Sequence, residues 1–326
     1  MSVAPTVDAV VQAGGAHIPG LMAALERRLV ELAGGHGPLL ARHAGDTIAA
    51  GGKRLRPLLV FLAAGEPAGE CDGVLRAAVA VELVHSATLV HDDVLDAAQL
   101  RRGRPTVVAE AGRAVATATG DMLFSRAFAE LSATGRSDGV RALSAASSAL
   151  ALGELLQRED AFRPVTVERY LRRCELKTAR LFEAACQLGA LEAEGGAPGH
   201  VDDLGAFGRR VGLAFQLLDD VLDVSGSAER TGKHRGADLL DGTVTLPLIL
   251  ARERDPALAA LSISSITTPA QAGEVCERIE ATGALGEARA RALAIAHQAK
   301  AELPALPPLQ RSVLELVADG VVERYA

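Results

Sequence analysis

The pentad DDVLD occurs twice in this chain, at Asp92–Asp96 and again at Asp219–Asp223. Both copies are embedded in apolar sequence, LVHDDVLDAA and FQLLDDVLDVSG. Aspartate is disfavoured inside helices and is seldom buried without a partner, so these settings require a chemical reason. On a helix the first and last aspartates of each pentad lie on one face, which predicts two stripes of paired carboxylates.

Paired carboxylates repel one another unless a cation lies between them. Mg²⁺ fits because it takes oxygen ligands and is commonly held by one or two carboxylates together with substrate phosphates. A glycine-bearing calcium loop is absent from the sequence, and His91 alone does not supply a zinc site. Two pentad helices that face each other would form a cage for Mg²⁺ and a diphosphate. The alternative is two solvated helix faces that happen to match.

The chain also carries local clusters of cations that could bind phosphates. They are Lys53 and Arg56 in GGKRLRP, Arg101 and Arg102 in LRRGRP, Lys177 in ELKTAR and Lys233 in TGKHRG. Any one of them alone is typical of a solvated surface. Together they suit two anions, one bridged to metal by the pentads and the other bound by Lys and Arg directly.

The composition favours helices. The chain has 326 residues, of which 49% are hydrophobic and 3% aromatic, with no tryptophan. The core must therefore be built from Leu, Ala and Val, which favours helix over sheet. A net charge of −7 argues against a protein that coats nucleic acid.

Apolar residues recur with the helical period over most of the chain. The predicted helices cover about 19–34, 37–50, 53–64, 73–97, 110–133, 137–160, 167–191, 202–224, 244–253, 269–282, 285–302 and 307–323. No Ser- or Pro-rich linker divides them, and no convincing pair of strands is found. We expect an all-α fold, a single-domain multi-helix bundle over residues 1–326, with residues 1–17 a poorly ordered N-terminal extension.

The sequence favours a cytoplasmic location without a transmembrane segment. Its start, MSVAPTVDAVVQAGG, lacks the pattern of a secretion signal, and no uncharged apolar run approaches the length of a membrane span. The cysteines have neither CxxC spacing nor a His at ligand spacing, which favours buried residues in a reducing compartment. They are Cys71, Cys174, Cys186 and Cys276.

These motifs resemble those of the trans-isoprenyl diphosphate synthases. GGKRLRP, HSATLVHDDVLD with LRRGRPT, the KT pair at 177–178, and FQLLDDVLD with a downstream TGK occur in that family's order, from about residue 40 to the C-terminus. The resemblance implies an isoprenoid-synthase bundle around a central cavity. It also implies a Mg²⁺-dependent, head-to-tail condensation. An allylic diphosphate ionises, the double bond of isopentenyl diphosphate attacks the cation, and a proton is lost.

The resemblance also implies roles for individual residues. The direct metal ligands would be Asp92, Asp96 and Asp219. Ligands through water, or supporting carboxylates, would be Asp93, Asp220 and Asp223. The allylic diphosphate would contact Arg101, Lys177 and Lys233, and isopentenyl diphosphate would bind at Lys53, Arg56, His85 and Arg102. Thr178 and Gln216 would line the reacting carbons and the allylic diphosphate. The catalytic set would be Asp92, Asp96, Lys177, Asp219 and Lys233.

One position departs from the family pattern. Where the family commonly has a second lysine, in DLxxGKxTLP, this chain has Thr243, in DLLDGTVTLP. Either Lys233 suffices for the diphosphate, or His234 or Arg235 reaches the site instead.

The resemblance also bears on product length. Family members that stop early commonly have bulky aromatics one turn before the first pentad, whereas this chain has Ala87 and Thr88. There is also no two-residue insertion within the first pentad. We expect an open tunnel and products longer than geranylgeranyl diphosphate. Candidates for a deeper floor, each also compatible with core packing, are Val84, Met122, Phe124 and Phe128.

Other functions remain open. A short-chain farnesyl or geranylgeranyl diphosphate synthase uses the same motifs, and the chain could be the catalytic subunit of a heteromeric synthase. A class I terpene cyclase is less favoured, because its pocket is usually aromatic-lined and this chain has seven Phe, two Tyr and no Trp. The family implies a homodimer.

Overall fold

The computed structural model describes residues 7–35, 37–66, 72–101, 103–193, 200–226 and 234–323. Helices dominate these segments. In chain order they are α1 (Val7–Ala13), α2 (His17–Ala33), α3 (Pro38–Ala49), α4 (Leu55–Ala64), α5 (Asp72–Leu95), α6 (Val107–Ser132), α7 (Ser137–Asp160), α8 (Val167–Cys174), a π turn (Glu175–Ala179), α9 (Arg180–Glu192), α10 (Val201–Ser225), α11 (Ala237–Leu240), α12 (Leu246–Arg254), α13 (Pro256–Ala260), a 3₁₀ turn (Ile263–Ser265), α14 (Pro269–Ala281), α15 (Ala284–Ala301) and α16 (Pro308–Glu323).

Helix α5 lies at the centre of the bundle, packed against α4, α6 and α9. Nearly every side chain from Ala77 to Val84 is fully buried, so the helix is apolar all round, as a core helix must be. It alone among the described helices is long and apolar enough to cross a membrane, and 72% of its most apolar window is buried by the other helices. Burial of this kind accounts for its apolar composition.

Helix α9 lies between α4 and α10 and brings the second half of the chain against the first. The contact with α4 is close because Gly189 has no side chain. A Cβ at that position would lie 2.2 Å from the carbonyl oxygen of Val60. The core is built from Leu, Ala and Val with few aromatics, as the composition predicts. Three of the cysteines, Cys174, Cys186 and Cys276, are buried and free as expected, and Cys71 lies outside the described residues.

The predicted helices agree with the observed ones to within a few residues at most ends. The N-terminus differs. Residues 7–17, expected to belong to a poorly ordered extension, include α1, and Val10 is buried. The predicted helix 53–64 instead begins at Leu55, because Arg54 has a left-handed backbone with φ of 46°. Lys53 therefore precedes the helix and does not share a helical face with Arg56.

A pair of short strands was also not expected. Leu100–Arg101 and Arg104–Pro105 form a small antiparallel hairpin between α5 and α6. Thr106 caps the N-terminus of α6 by accepting a hydrogen bond from the Ala109 amide. The hairpin folds the chain back so that Arg101 reaches the first pentad.

Candidate active site

The first pentad lies at the C-terminal end of α5. The amide of Asp96 donates to the carbonyl of Asp92 at 2.8 Å, so the helical turn continues through the pentad and the two carboxylates share a face. Arg101 donates through Nε to Oδ1 of Asp93 at 2.8 Å, and Arg158 donates through Nη2 to Oδ1 of Asp96 at 2.7 Å. Two of the three carboxylates of this pentad, Asp93 and Asp96, are therefore hydrogen-bonded to an arginine.

Burial raises the pKa of Asp92 to about 6. The positive charges of Lys177 and Arg101 oppose the rise, whereas Glu154 and Asp96 add to it. None of these neighbours that the structure describes donates a hydrogen bond to the Asp92 carboxylate. A bound divalent cation would relieve both the burial penalty and the repulsion.

Lys177 lies on the π turn that separates α8 from α9. Its ammonium forms an ion pair with Glu154, a buried carboxylate on α7. The two helices approach closely there because residue 153 is glycine. A Cβ at Gly153 would lie 2.5 Å from the Lys177 amide nitrogen. Single π turns within helices are frequent at functional sites, and this one aims Lys177 towards the first pentad.

The second pentad is joined to the π turn by a chain of hydrogen bonds. Thr178 donates through Oγ1 to Gln216 Oε1 at 2.7 Å, and Gln216 donates through Nε2 to Asp220 Oδ1 at 2.8 Å. The buried hydroxyl of Tyr170 donates to the other oxygen, Oδ2 of Asp220, at 2.7 Å. Burial raises the pKa of Asp220 to about 7, although both hydrogen bonds favour the ionised form.

Asp220 therefore has both oxygens engaged by protein groups. Of the two roles expected for it, support fits better than ligation. Its neighbour Asp219 is half-buried and close enough to Arg56 to act on the pKa of that guanidinium. Asp223 accepts a hydrogen bond from the amide of Asp238 at 3.2 Å, which ties the end of α10 to α11.

The GGKRLRP segment places Arg56 between α9 and the second pentad. Its guanidinium carbon lies 4.5 Å from the centre of the Phe182 ring, and its Nη1 lies 3.4 Å from His85 Nε2. Burial lowers the pKa of Arg56 to about 10, and Glu82 and Asp219 oppose that shift. Arg56 and His85, both predicted to bind isopentenyl diphosphate, are thus brought together, whereas Lys53 is exposed.

Arg54 fixes this segment. It donates to Glu82 at 2.6 Å, to Glu26 at 2.7 Å and to the carbonyl of Ile48 at 2.9 Å. Because both Arg54 and Glu82 are buried, removing either partner would leave an uncompensated charge. Neither residue was predicted from the sequence to have a role. The available signal was a lone glutamate in the apolar run AAVAVELVHSA.

A cavity of about 250 Å³ lies on one side of α5. It brings together His85, Asp93 and Arg101 from the predicted site with Arg54 and Glu82. Neither Asp92 nor Asp219 lines this cavity. The remaining lining residues include His43, Asp46 and Glu110.

The predicted chain-length residues divide into two groups. Val84, Ala87 and Thr88 are buried on α5, one to two turns before Asp92. Met122, Phe124 and Phe128 are half-buried on α6 and packed against the core. The Phe124 ring stacks on the ring of His91, with centroids 5.7 Å apart.

Two of the residues expected to contact the diphosphates, Arg102 and Lys233, lie outside the described residues. Of the two residues proposed to replace the family lysine at Thr243, Arg235 is held elsewhere. It donates to the carbonyl of Val224 and pairs with Glu280 at 2.8 Å. His234 is exposed.

Arg158 is a cation of the site that was not predicted from the sequence. It lies between Asp96 and Glu154, near the end of α7. The loop after α7 docks on the turn that carries Thr243, because the Phe162 amide donates to the carbonyl of Gly242 at 2.9 Å. The signal in the sequence was weak, a Glu and an Arg four residues apart in GELLQR.

The donor set fits a hard divalent cation. Carboxylate oxygens are gathered at the ends of two helices, with Lys177 and Arg158 nearby as counter-charges. Among the described residues, His91 lies on α5 just before Asp92 but pairs with Asp121 on α6.

The chain matches known proteins along most of its length. The polyprenyl synthetase family matches residues 38–281. The chain is 42% identical over 253 residues to heptaprenyl diphosphate synthase component 2 of Geobacillus stearothermophilus, covering 77% of this chain and 78% of the relative. It is 37% identical over 265 residues to the octaprenyl diphosphate synthase of Escherichia coli K12, covering 80% and 82%.

Solved structures agree with this relationship. The polyprenyl synthase of Caulobacter crescentus CB15, complexed with calcium and isoprenyl diphosphate, superposes with a TM-score of 0.91 and 36% identity over the whole of both chains. The expected all-α fold and the expected family are thereby confirmed. The chain belongs to the polyprenyl synthetase family of trans-prenyltransferases.

Proposed function

We propose that this protein condenses isopentenyl diphosphate head to tail onto an allylic diphosphate, with Mg²⁺, and makes an all-trans polyprenyl diphosphate longer than geranylgeranyl. The observation that carries the proposal is the link between the two pentads. The positive charge of Lys177 opposes the rise in the pKa of Asp92. Thr178, the neighbour of Lys177, is hydrogen-bonded to Gln216, which is hydrogen-bonded in turn to Asp220. One π turn thus places a lysine and a hydroxyl between two carboxylate groups.

The residues have distinct tasks in this reaction. Ionisation of the allylic substrate leaves charge on a diphosphate, so fixed cations near that group lower the barrier. Lys177, Arg101 and Arg158 would supply them. Mg²⁺, held by Asp92, Asp96 and Asp219, would neutralise further charge on the leaving group. Arg56 and His85 would bind isopentenyl diphosphate, whose double bond attacks the allylic carbon to form the new C–C bond. The carbocation that results then loses a C–H proton to the released diphosphate.

The product length follows from Ala87 and Thr88. Both are small and buried one turn before Asp92, where family members that stop early commonly have bulky aromatics. The relatives named heptaprenyl and octaprenyl diphosphate synthase support a product of that class. We propose a cytoplasmic location and a homodimer, for which the exposed Leu152 and Leu155 of α7 offer an apolar face.

The first test is the replacement of the pentad ligands. Asp92→Asn and Asp219→Asn keep the shape of the side chain but remove the charge, and each should lower kcat by at least about 100-fold. Turnover is measured with isopentenyl diphosphate, a farnesyl or geranylgeranyl diphosphate primer and Mg²⁺. The dephosphorylated products are then sized, and a chelator serves as the blank.

Asp203→Asn is the matched control, because Asp203 is exposed on α10, the same helix as Asp219, but sixteen residues away. It should leave turnover unchanged. Pentad variants that fold by circular dichroism and keep wild-type turnover would contradict the proposal.

The similarity to a protein named component 2 favours a second candidate, a catalytic subunit that needs a partner chain. Activity of the purified chain alone decides between them. A Mg²⁺-dependent prenyl ladder from this chain, sized as a dimer by light scattering, supports the homodimer. If no primer is extended by the chain alone, but product forms when a cell extract from its source is added, the heteromeric candidate is correct.

A further inference from the structure

A histidine and two carboxylates lie together outside the pentads. His43 and Asp46 are three residues apart on α3 and therefore share a face, and Glu110 lies in the first turn of α6. One ring nitrogen of His43 and one carboxylate oxygen from each acidic residue lie within 4.8 Å of one another. All three residues line the 250 Å³ cavity on the side of α5.

The state of His43 indicates a ligand. Only 4% of the residue is exposed, and its shielded Nδ1 has no hydrogen-bond partner among the described residues. A buried polar atom without a partner is rare in folded proteins and costs about 1–3 kcal/mol, so it calls for a water or an ion. Here the ring lines a cavity that also holds two carboxylates.

A surface arginine already accompanies the carboxylates. The Arg42 guanidinium lies 3.9 Å from Asp46 and 3.8 Å from Glu110, both longer than a hydrogen bond, and its side chain is 68% exposed. An exposed pair of this kind contributes little. Arg42 thus acts as a weak, displaceable counter-charge over the two carboxylates.

We propose that His43, Asp46 and Glu110 bind a divalent transition-metal ion, of the class of Zn²⁺, Co²⁺ or Ni²⁺, at a site separate from the pentads. An imidazole with two carboxylates suits these borderline ions better than Mg²⁺, which prefers oxygen alone. Three protein ligands leave a position open to water or to an anion in the cavity.

The location of this site predicts an effect on substrate binding. The site joins the middle of α3 to the start of α6, and α3 is followed closely by Gly51, Gly52 and Lys53. Arg54 and His85 line the same cavity. A metal that ties α3 to α6 would therefore restrain the segment that precedes Arg56, and we expect it to change KM for isopentenyl diphosphate more than kcat.

The test uses the full chain without a purification tag, saturated with Mg²⁺ so that the pentads are occupied. Zn²⁺ is titrated calorimetrically, and Co²⁺ is followed by its visible absorption, which changes on binding to a nitrogen ligand. The wild type should bind one further ion per chain. His43→Ala and Glu110→Gln should each weaken that binding by at least about tenfold.

Two further variants sharpen the result. Arg42→Met removes the competing cation and should tighten Zn²⁺ binding several-fold, whereas His297→Ala, on the exposed surface of α15, should leave it unchanged. Because Glu110 is exposed, Glu110→Gln is expected to fold even if His43→Ala does not. The proposal is overturned if the wild type binds no ion beyond those at the pentads, or if folded ligand variants bind Zn²⁺ as tightly as the wild type does.

Discussion

At the scale of single residues, the site contains carboxylates that the surrounding protein shields from water. Asp92 shows the consequence, because burial raises the pKa of its carboxyl to about 6. In the metal-free protein this group takes up a proton as the pH falls through 6, and Mg²⁺ must then displace that proton. We predict that Mg²⁺ affinity is constant above about pH 7 and falls below pH 6, approaching about tenfold per pH unit.

The measurement is a calorimetric Mg²⁺ titration between pH 5 and 8. Substrate is left out, because its own phosphates titrate in this range. Asp92→Asn provides the comparison, since it cannot be protonated and should bind Mg²⁺ weakly at every pH. An affinity of the wild type that does not change between pH 7 and 5 would show that Asp92 is either not buried as described or not a ligand.

Residue types and spacing predicted the pentads, and the family motifs implied the roles of Lys177 and Arg56, because all of these patterns are local in sequence. They did not predict Glu154, Arg158 or Arg54. The role of each of those residues depends on a partner that is distant in sequence. Local spacing does not predict which helices pack together. A single charge within an apolar run, as at Glu82 and Glu154, was the one local signal of a buried ion pair.

At the scale of secondary-structure elements, the helical period predicted most helices, and α7 begins and ends where it was expected. The π turn within the predicted helix 167–191 was not foreseen, because it spans only five residues and a change of period is not resolved over so short a segment. The left-handed backbone of Arg54 was also not predicted, because its cause is not local in sequence. Its conformation is stabilised by bonds to Glu26 and Glu82, which lie far away in sequence.

The π turn depends on Gly153, which lets α7 approach the backbone of Lys177. In Gly153→Ala the new Cβ would lie 2.5 Å from the Lys177 nitrogen and 2.8 Å from its Cα, and backbone atoms cannot rotate away. We expect the helices to separate, at a cost of about 1–3 kcal/mol in the free energy of unfolding. Displacement of Lys177 should lower kcat by about 100-fold.

Thermal melts and steady-state kinetics test this prediction. Gly273→Ala is the control, because Gly273 lies inside α14 and a Cβ added there would have nothing within 4 Å of it. That change should leave activity intact and stabilise the protein by about 0.5–1 kcal/mol. If Gly153→Ala also gains stability and keeps full activity, the close approach of the two helices has no role in the reaction.

At the scale of the whole molecule, the bundle must bury an apolar core and also leave room for a growing chain. Composition predicted an all-α fold built from Leu, Ala and Val, and the structure confirms it. The interior path of the product could not be predicted in the same way. A small buried residue such as Ala87 has the same appearance in sequence whether it lines a tunnel or fills a packed core.

Ala87→Phe distinguishes these two possibilities. If Ala87 lines a tunnel, the ring enters open space, the melting temperature changes little, and the product becomes shorter. If Ala87 fills packed core, the ring must displace its neighbours, and the protein loses stability instead. The variant is melted, and its dephosphorylated products are sized beside those of the wild type.

The matched control is Ala78→Phe, because Ala78 is equally buried on α5 but lies nine residues earlier, on the opposite face of the helix. There the ring must enter packed core, which should cost about 1–3 kcal/mol without changing product length. If Ala87→Phe is destabilised as much as Ala78→Phe and makes the wild-type product, this face of α5 is core, and the chain length is set elsewhere in the bundle.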